Sequence, residues 1–238
     1  GGIVVYHVDP FGSAQDHIHA GDVLLSIDGR DIENDGTIEL DGTPVMFAEM
    51  LERKQCGQSV AFTVWRKGQP LALTVPLRRQ EDPFVYRNIY DKRPRYFIVG
   101  GLVFSPLNRE YLKTLERRAA TMNTQQLRYY SEYAKMDNLY KDRDEFVVLI
   151  RRLPQEVNTY AEGFVNGIVT DINGTPIRRL ADVKAALAKP ADGFHVFTFA
   201  GMDESLVIDA QVARKEEPAI LSSYGIPSLE NLTEEAKP

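Results

Sequence analysis

One layout of residues occurs twice in this chain, and it limits the folds available more than any other feature. The first copy is Gly21 to Ile32, GDVLLSIDGRDI, and the second is Gly167 to Ile177, GIVTDINGTPI. In each, a short apolar run of strand length (Val23, Leu24, Leu25, Ile27; then Ile168, Val169, Ile172) ends at an Asx-Gly pair, Asp28-Gly29 or Asn173-Gly174. Asx-Gly between apolar runs signals a tight two-residue turn, because both central positions need positive φ. Each turn leads, directly or after a loop, into an amphipathic helical stretch. Two strand–turn–helix units in one order of parts predict a duplicated module.

A length of 238 residues suits two domains of ordinary size. Apolar residues make up 43% and charged residues 26%, the balance of a globular chain and not of a disordered one. The net charge of −6 argues against broad phosphate-backbone binding, which needs a basic face. No apolar run approaches the ~20 residues that span a bilayer. Gly1-Gly2-Ile3-Val4-Val5 reads as a strand already under way, so a fragment of a longer protein is expected, with no signal peptide in view. Its single cysteine, Cys56, excludes an internal disulfide.

Ile3 to Val8 is β-rich and stops at Asp9-Pro10. Asp31 to Pro44 reads as a long polar connection, and Val45 to Gln55 as a helix capped by Thr43 with Pro44 at its first position. Two strands around Lys67-Gly68 close the first module near Arg79. In the second module, Tyr96 to Phe104 reads as a strand broken by Gly100-Gly101. Asn108 to Glu145 is charged, tyrosine-bearing and helical by composition, with Tyr111, Leu112, Leu115 and Ala119 on one apolar face. Phe146 to Leu153 is a strand and Leu180 to Leu187 a helix ended by Pro190. HVFTF and ESLVIDA are the closing strands, and the chain from Ala213 on is a polar tail with frayed last residues. The fold class predicted is α+β and strand-rich: two partly open barrels capped by helices, with domains at 1–80 and 96–215. A linker fills 81–95, a helical insertion 108–145, and a tail 216–238.

Gly2-Ile3-Val4-Val5, Val8-Asp9-Pro10, Ser13-Ala14, Ala20-Gly21-Asp22-Val23-Leu24, Ile27-Asp28-Gly29, Gly57 and Arg66-Lys67-Gly68 together resemble the PDZ domain of HtrA/Deg-type serine proteases. The stretch Asn34-Asp35-Gly36-Thr37, the strand Tyr96 to Phe104, and Ile220-Leu221 with Ile226-Pro227-Ser228 are similar to the branch with two PDZ domains, known from plants and bacteria. The resemblance implies a regulatory, peptide-binding and oligomerising region of a serine endopeptidase in protein quality control. Its carboxylate-binding loop and one strand would precede Gly2, and its trypsin-like domain would lie outside this chain. It implies no cofactor, and partners that are peptide or unfolded segments, the protease domain of the same polypeptide, and further copies of the chain. For a bacterial protein it implies a periplasmic or extracytoplasmic site. A non-proteolytic PDZ scaffold that organises partners is the alternative.

Nucleophilic catalysis needs Ser or Cys beside an oriented base. The chain has four histidines and no G-x-S-x-G, and Ser13 falls in a structural loop of the resemblance. No catalytic residue is therefore assigned. His17-x-His19 could place two imidazoles on one strand face, but no third ligand has a fitting spacing, so no metal site is expected. Asp22, Asp28, Asp31, Glu33 and Asp35 do not follow the D-x-D-x-D-G calcium loop and read as a solvated turn. PDZ modules take a peptide as an extra strand beside a helix. The residues assigned to peptide binding are accordingly Ile3, Val4, Val5, Met46, Phe47, Met50 and Leu51. In the resemblance Gly100, Gly101, Leu102 and Val103 fall where a peptide carboxylate is received, though a bulge or a close backbone approach explains the glycines equally well. Trp65 is expected in the core, and the insertion tyrosines either cover the second module or face a partner.

Overall fold

The computed structural model describes residues 1–79, 84–87, 89–90, 92–115, 120–140 and 142–233. Ala119, parts of the 81–95 link and the frayed end fall outside the described residues. The chain divides into two compact units, Gly1–Glu81 and Asp82–Pro238.

The first unit contains β1 (Ile3–Val4), β2 (Val23–Ile27), β3 (Arg30–Asp31), β4 (Thr37–Leu40), β5 (Thr43–Met46), α1 (Ala48–Glu52), β6 (Ser59–Arg66) and β7 (Gln69–Pro76). Its main sheet runs β1-β2-β6-β7, with β3 hairpinned onto β2. Asp28 (φ 46°) and Gly29 (φ 79°) make the β2–β3 turn, and Lys67 (φ 51°) with Gly68 (φ 83°) the β6–β7 turn. Both pairs are left-handed, as a two-residue hairpin requires. Alternation along β6 buries Val60, Phe62 and Val64, which join Ile27, Ile32, Ile38 and Val75 in the core. The same period turns Trp65 outward at 44% exposure, so it is not a core residue.

The expected helix over Val45–Gln55 is shorter and starts later. Asp41 (φ 52°) and Gly42 (φ 79°) form a further two-residue turn, and Thr43–Met46 pairs with Thr37–Leu40 as a hairpin. Thr43 and Pro44 are therefore strand residues and not a helix cap.

The second unit begins with β8 (Tyr96–Val99) and β9 (Leu102–Pro106), then α2 (Arg109–Leu115) and α3 (Met122–Tyr133) of the insertion, then β10 (Val147–Arg152). β11 (Val169–Ile172), β12 (Thr175–Pro176), α4 (Leu180–Leu187), β13 (Phe194–Phe199) and β14 (Leu206–Asp209) follow. α5 (Ala210–Tyr224) and β15 (Glu230–Asn231) complete it. Two four-stranded sheets, β10-β9-β8-β15 and β12-β11-β13-β14, share a core of Phe104, Leu149, Val169, Ile172, Leu180, Val183, Phe197 and Phe199. The architecture is α+β, of open sheets and not of barrels.

What was expected as a polar tail is ordered secondary structure. Asp209 caps α5 by accepting from the backbone N–H groups of Gln211 and Val212, and Gly225 (φ 61°) ends it in the left-handed conformation. Helix α5 runs through the expected 215/216 boundary, and β15 then pairs with β8.

The tyrosines of the insertion divide their roles. Tyr130 packs edge-on against Phe146 at 4.9 Å, and the Tyr111 hydroxyl bonds Asn166 and Ile150, so these rings cover the unit's own core. Tyr129 and Tyr133 stack on each other in solvent at 42% and 46% exposure.

Candidate peptide-binding site

In the first unit β1 stands at the end of the main sheet and pairs, among the described residues, with β2. Ile3 and Val5 turn inward while Val4 and Tyr6 are exposed, the alternation of a half-buried strand, which ends at the exposed His7. The backbone of Val5 bonds Asp22 O and Gly21 N at 2.8 Å each. Beside this segment lies an apolar groove of about 590 Å³, floored by Ile18, Leu24 and Phe62 and walled by Phe47, Leu51, Val75 and Leu77.

The groove brings together five of the seven residues assigned to peptide binding: Ile3, Val4, Val5, Phe47 and Leu51. Met46 and Met50 do not line it. Met46 sits on a strand with its side chain half exposed against Gly36, and Met50 packs partly into the core. The late start of α1 changes which way those two point.

A buried ion pair fixes one end of the sheet. Arg66 bonds both carboxylate oxygens of Asp22 at 2.8 and 2.6 Å and also the carbonyl of His17. The Arg66 guanidinium, outweighing burial, holds the Asp22 carboxyl below its ordinary range, with help from the His19 N–H. The remaining acids have separate duties: Asp28 receives Lys54 and the Ala61 N–H, and Asp35 receives Thr37. His17 and His19 lie at a turn and not on a strand, with Ile18 between them buried. Ser13 is a clip, its hydroxyl bonded to the backbone of Arg78.

The second unit has a different arrangement. Gly100 (φ 50°) and Gly101 (φ 78°) are the turn of the β8–β9 hairpin, so no bulge interrupts a single strand there. Both edges of β9 are taken, by β10 and by β8, and α4 packs over β8 and β9. Leu102 is fully buried, and Val103 packs with Ile98, Leu153 and Ile220. The turn itself is enclosed. Asn158, 1% exposed, donates to Gly100 O at 2.7 Å and to Leu153 O at 2.8 Å. A Cβ on Gly101 would come within 2.4 Å of Leu153 O. Close approach is thus the reason for the glycines.

Comparison with known proteins matches two PDZ domain models to the chain, over residues 1–77 and 85–231. The chain belongs to the PDZ family. It is a tandem of PDZ domains of the kind carried by Deg/HtrA-type proteases. Protease Do-like 2, chloroplastic, of Arabidopsis thaliana is 27% identical over 95% of this chain and 36% of its own length. Putative protease Do-like 3, mitochondrial, of the same plant is 25% identical over 95% of this chain and 38% of its own. The serine protease DegP homolog of Plasmodium falciparum is 30% identical over 67% of this chain and 17% of its own. The chain thus spans little more than a third of these plant relatives.

The two PDZ domains differ in what they leave open. The first has an apolar groove beside β1; in the second the strand after the glycine turn is paired on both sides. Neither Asn158 nor Arg66 carries a sequence signal of its role, because their partners lie 58 and 44 residues away.

Proposed function

We propose that this tandem is the peptide-binding regulatory region of a Deg/HtrA-type serine endopeptidase of protein quality control, with bond cleavage supplied by a protease domain elsewhere in the polypeptide. The first PDZ domain takes an extended segment of substrate as an added strand along Ile3–Val8. Main-chain hydrogen bonds supply affinity, and the apolar floor selects aliphatic or aromatic side chains. The second domain fills its own slot with β8, and serves packing and self-assembly, for which the stacked pair Tyr129 and Tyr133 is available.

The observation that carries this reading is the apolar groove between β1 and α1. Fluorescence anisotropy with labelled extended peptides rich in Val and Leu tests it. Binding to the chain, weakened ~tenfold or more by Leu51→Asp, is the result expected, since a buried charge in the groove opposes apolar contact. Equal binding by the variant, or hydrolysis of casein by this chain alone, would overturn it.

A further inference from the structure

The insertion of the second PDZ domain carries a cleft of about 410 Å³ between its two helices, α2 and α3. Arg109, Leu112 and Lys113 line it from α2, and Arg128, Ser131 and Glu132 from α3. Each set follows the i, i+3, i+4 spacing that gathers residues on one side of a helix, so two single helix faces meet across the cleft. It shares no residue with the groove of the first domain.

The walls are braced from behind. Leu115 of α2 and Leu127 of α3 are buried in one core with Phe146 and Ile168. The Tyr111 hydroxyl ties α2 to Asn166, and Thr121 caps α3 in a reciprocal pair with Thr124.

Charge in the cleft is unbalanced. In a chain of net charge −6, this lining holds three cations and one carboxylate, two positive charges in excess. Arg109, Lys113 and Arg128 are exposed, and none of them makes an ion pair among the described residues. Elsewhere Arg53 is held by Glu49, Lys54 by Asp28 and Arg152 by Glu162, each at 2.9 Å. Arg109 and Lys113 stand four residues apart, a spacing at which like charges destabilise a helix. Glu132 offsets one cation and opposes an anion. Ser131 donates its hydroxyl hydrogen to Arg128 O at 2.7 Å, so the donors the cleft presents are the three cations.

We infer that this cleft binds a phosphomonoester. At neutral pH that group carries a charge of about −1.5 to −2 and three acceptor oxygens, which matches the excess of charge and the three cationic side chains. The planar guanidinium groups of Arg109 and Arg128 suit two oxygens each, and the Lys113 ammonium adds a point charge. A carboxylate, with one charge and two oxygens, leaves part of this set unmatched. Leu112 takes the apolar stem that carries the phosphate. A phosphorylated side chain of a polypeptide and a small free phosphomonoester offer the same chemistry. The site stands independently of the peptide groove proposed for the first domain.

Titration calorimetry on the whole chain, with ¹⁵N NMR of the backbone amides of α2 and α3, tests the inference. The probes are glycerol 2-phosphate and a blocked Ala-phosphoserine-Ala peptide, with the unphosphorylated peptide and one bearing Glu in place of phosphoserine as matches. At least one phosphate probe should bind and shift amides of both helices, and the tighter of the two identifies the source. The unphosphorylated and Glu-bearing peptides should bind ~tenfold more weakly. Arg109→Gln, Lys113→Gln and Arg128→Gln, all at exposed positions, should each weaken the phosphate probe ~threefold or more without moving Tm. Glu132→Gln should tighten it ~twofold. Lys215→Gln, which removes the same charge from an exposed position of α5, should leave the affinity unchanged, as should Leu51→Asp in the groove of the first domain. Phosphate probes binding no better than the Glu-bearing peptide, equal weakening by Lys215→Gln and Arg128→Gln, or no binding by either phosphate probe would overturn the assignment.

Discussion

Asp28 in the first PDZ domain and Asn173 in the second hold the same place and make the same bonds. Each starts a left-handed Asx-Gly turn and exchanges backbone and side-chain bonds with one residue of the next strand. Asp28 does so with Ala61 at 2.8 and 2.9 Å, and Asn173 with Val196 at 2.9 and 2.8 Å. They differ on the side facing the helix. Asp28 there receives the Lys54 ammonium at 2.9 Å, whereas Asn173 donates to Ala186 O.

That difference makes the two positions respond unequally to exchange of amide and acid. Asn173→Asp places a carboxylate oxygen against the Ala186 carbonyl, and acceptor facing acceptor in a partly buried site costs on the order of 2–3 kcal/mol. Asp28→Asn keeps the Ala61 bond and loses only the ion pair with Lys54, a loss of about 1 kcal/mol or less. Urea unfolding of the two variants should rank them in that order. Equal losses would mean that the helix-facing contacts are unimportant.

Acid should act on the first domain through Asp22. Because Arg66 holds its folded pKa below the unfolded value, Asp22 contributes stability that is present above the unfolded pKa of about 3.9 and lost as pH falls through the lower folded value. Arg66→Met reverses the sign. Asp22, whose side chain is 3% exposed, is then a buried carboxylate without its cation, and the variant is destabilised by on the order of 3 kcal/mol at pH 7. The penalty shrinks as acid neutralises Asp22. Tm measured from pH 7 to about pH 2.5 should therefore fall less in the variant than in the parent chain, the variant gaining as Asp22 is neutralised and the parent losing below about pH 3.9, and parallel curves would refute the assignment.

What could be read from the sequence was local. The Asx-Gly turns were legible because two adjacent residues carry the whole signal, and the β2 and β11 strands followed from them. Asp41-Gly42 carries the same signal but stands inside a polar stretch, which hides the β4–β5 hairpin and makes the helix read as starting at Val45. Helix α5 is hidden in the sequence because its buried positions are Ala213 and Ile220 alone and Pro218, a helix breaker by type, stands inside it. Trp65 followed the period of its strand and not its own hydrophobicity. Ile3, Val5, Phe47 and Leu51, which line the groove, are apolar residues in segments that the sequence reads as strand and helix. The closure of the β8–β9 turn is not legible there, because it depends on Asn158 and Leu153 arriving from a distant loop.

The groove makes a prediction that separates packing from recognition. Phe47 and Val4 both line it, but Phe47 also packs on the domain core whereas Val4 is 69% exposed. Phe47→Ala should lower both stability, by about 2–3 kcal/mol, and peptide affinity. Val4→Lys should leave the melting temperature within about a degree or two, as surface changes do, and still weaken an apolar peptide several-fold. Parallel melting curves and anisotropy titrations decide the matter, and unchanged affinity in Val4→Lys would remove the β1 edge from the site.

Two glycines with the same backbone sign should differ sharply on substitution. Gly68 (φ 83°) has open space where a Cβ would go, so Gly68→Ala has only the left-handed penalty of about 1–2 kcal/mol. Gly101 (φ 78°) has the same penalty plus contacts of 2.4 Å to Leu153 O and 2.5 Å to Asn158 Nδ2. Neither neighbour can retreat cheaply, because Leu153 O accepts from Asn158, which is itself bonded to Gly100 O. Gly101→Ala should therefore exceed Gly68→Ala by at least about 2 kcal/mol. Separate transitions of the two domains, followed by NMR peak intensities in urea, assign each loss to its own domain. If Gly101→Ala behaved like Gly68→Ala, the turn would be open enough to admit a ligand, and β8 would not be the permanent occupant of the second domain's slot.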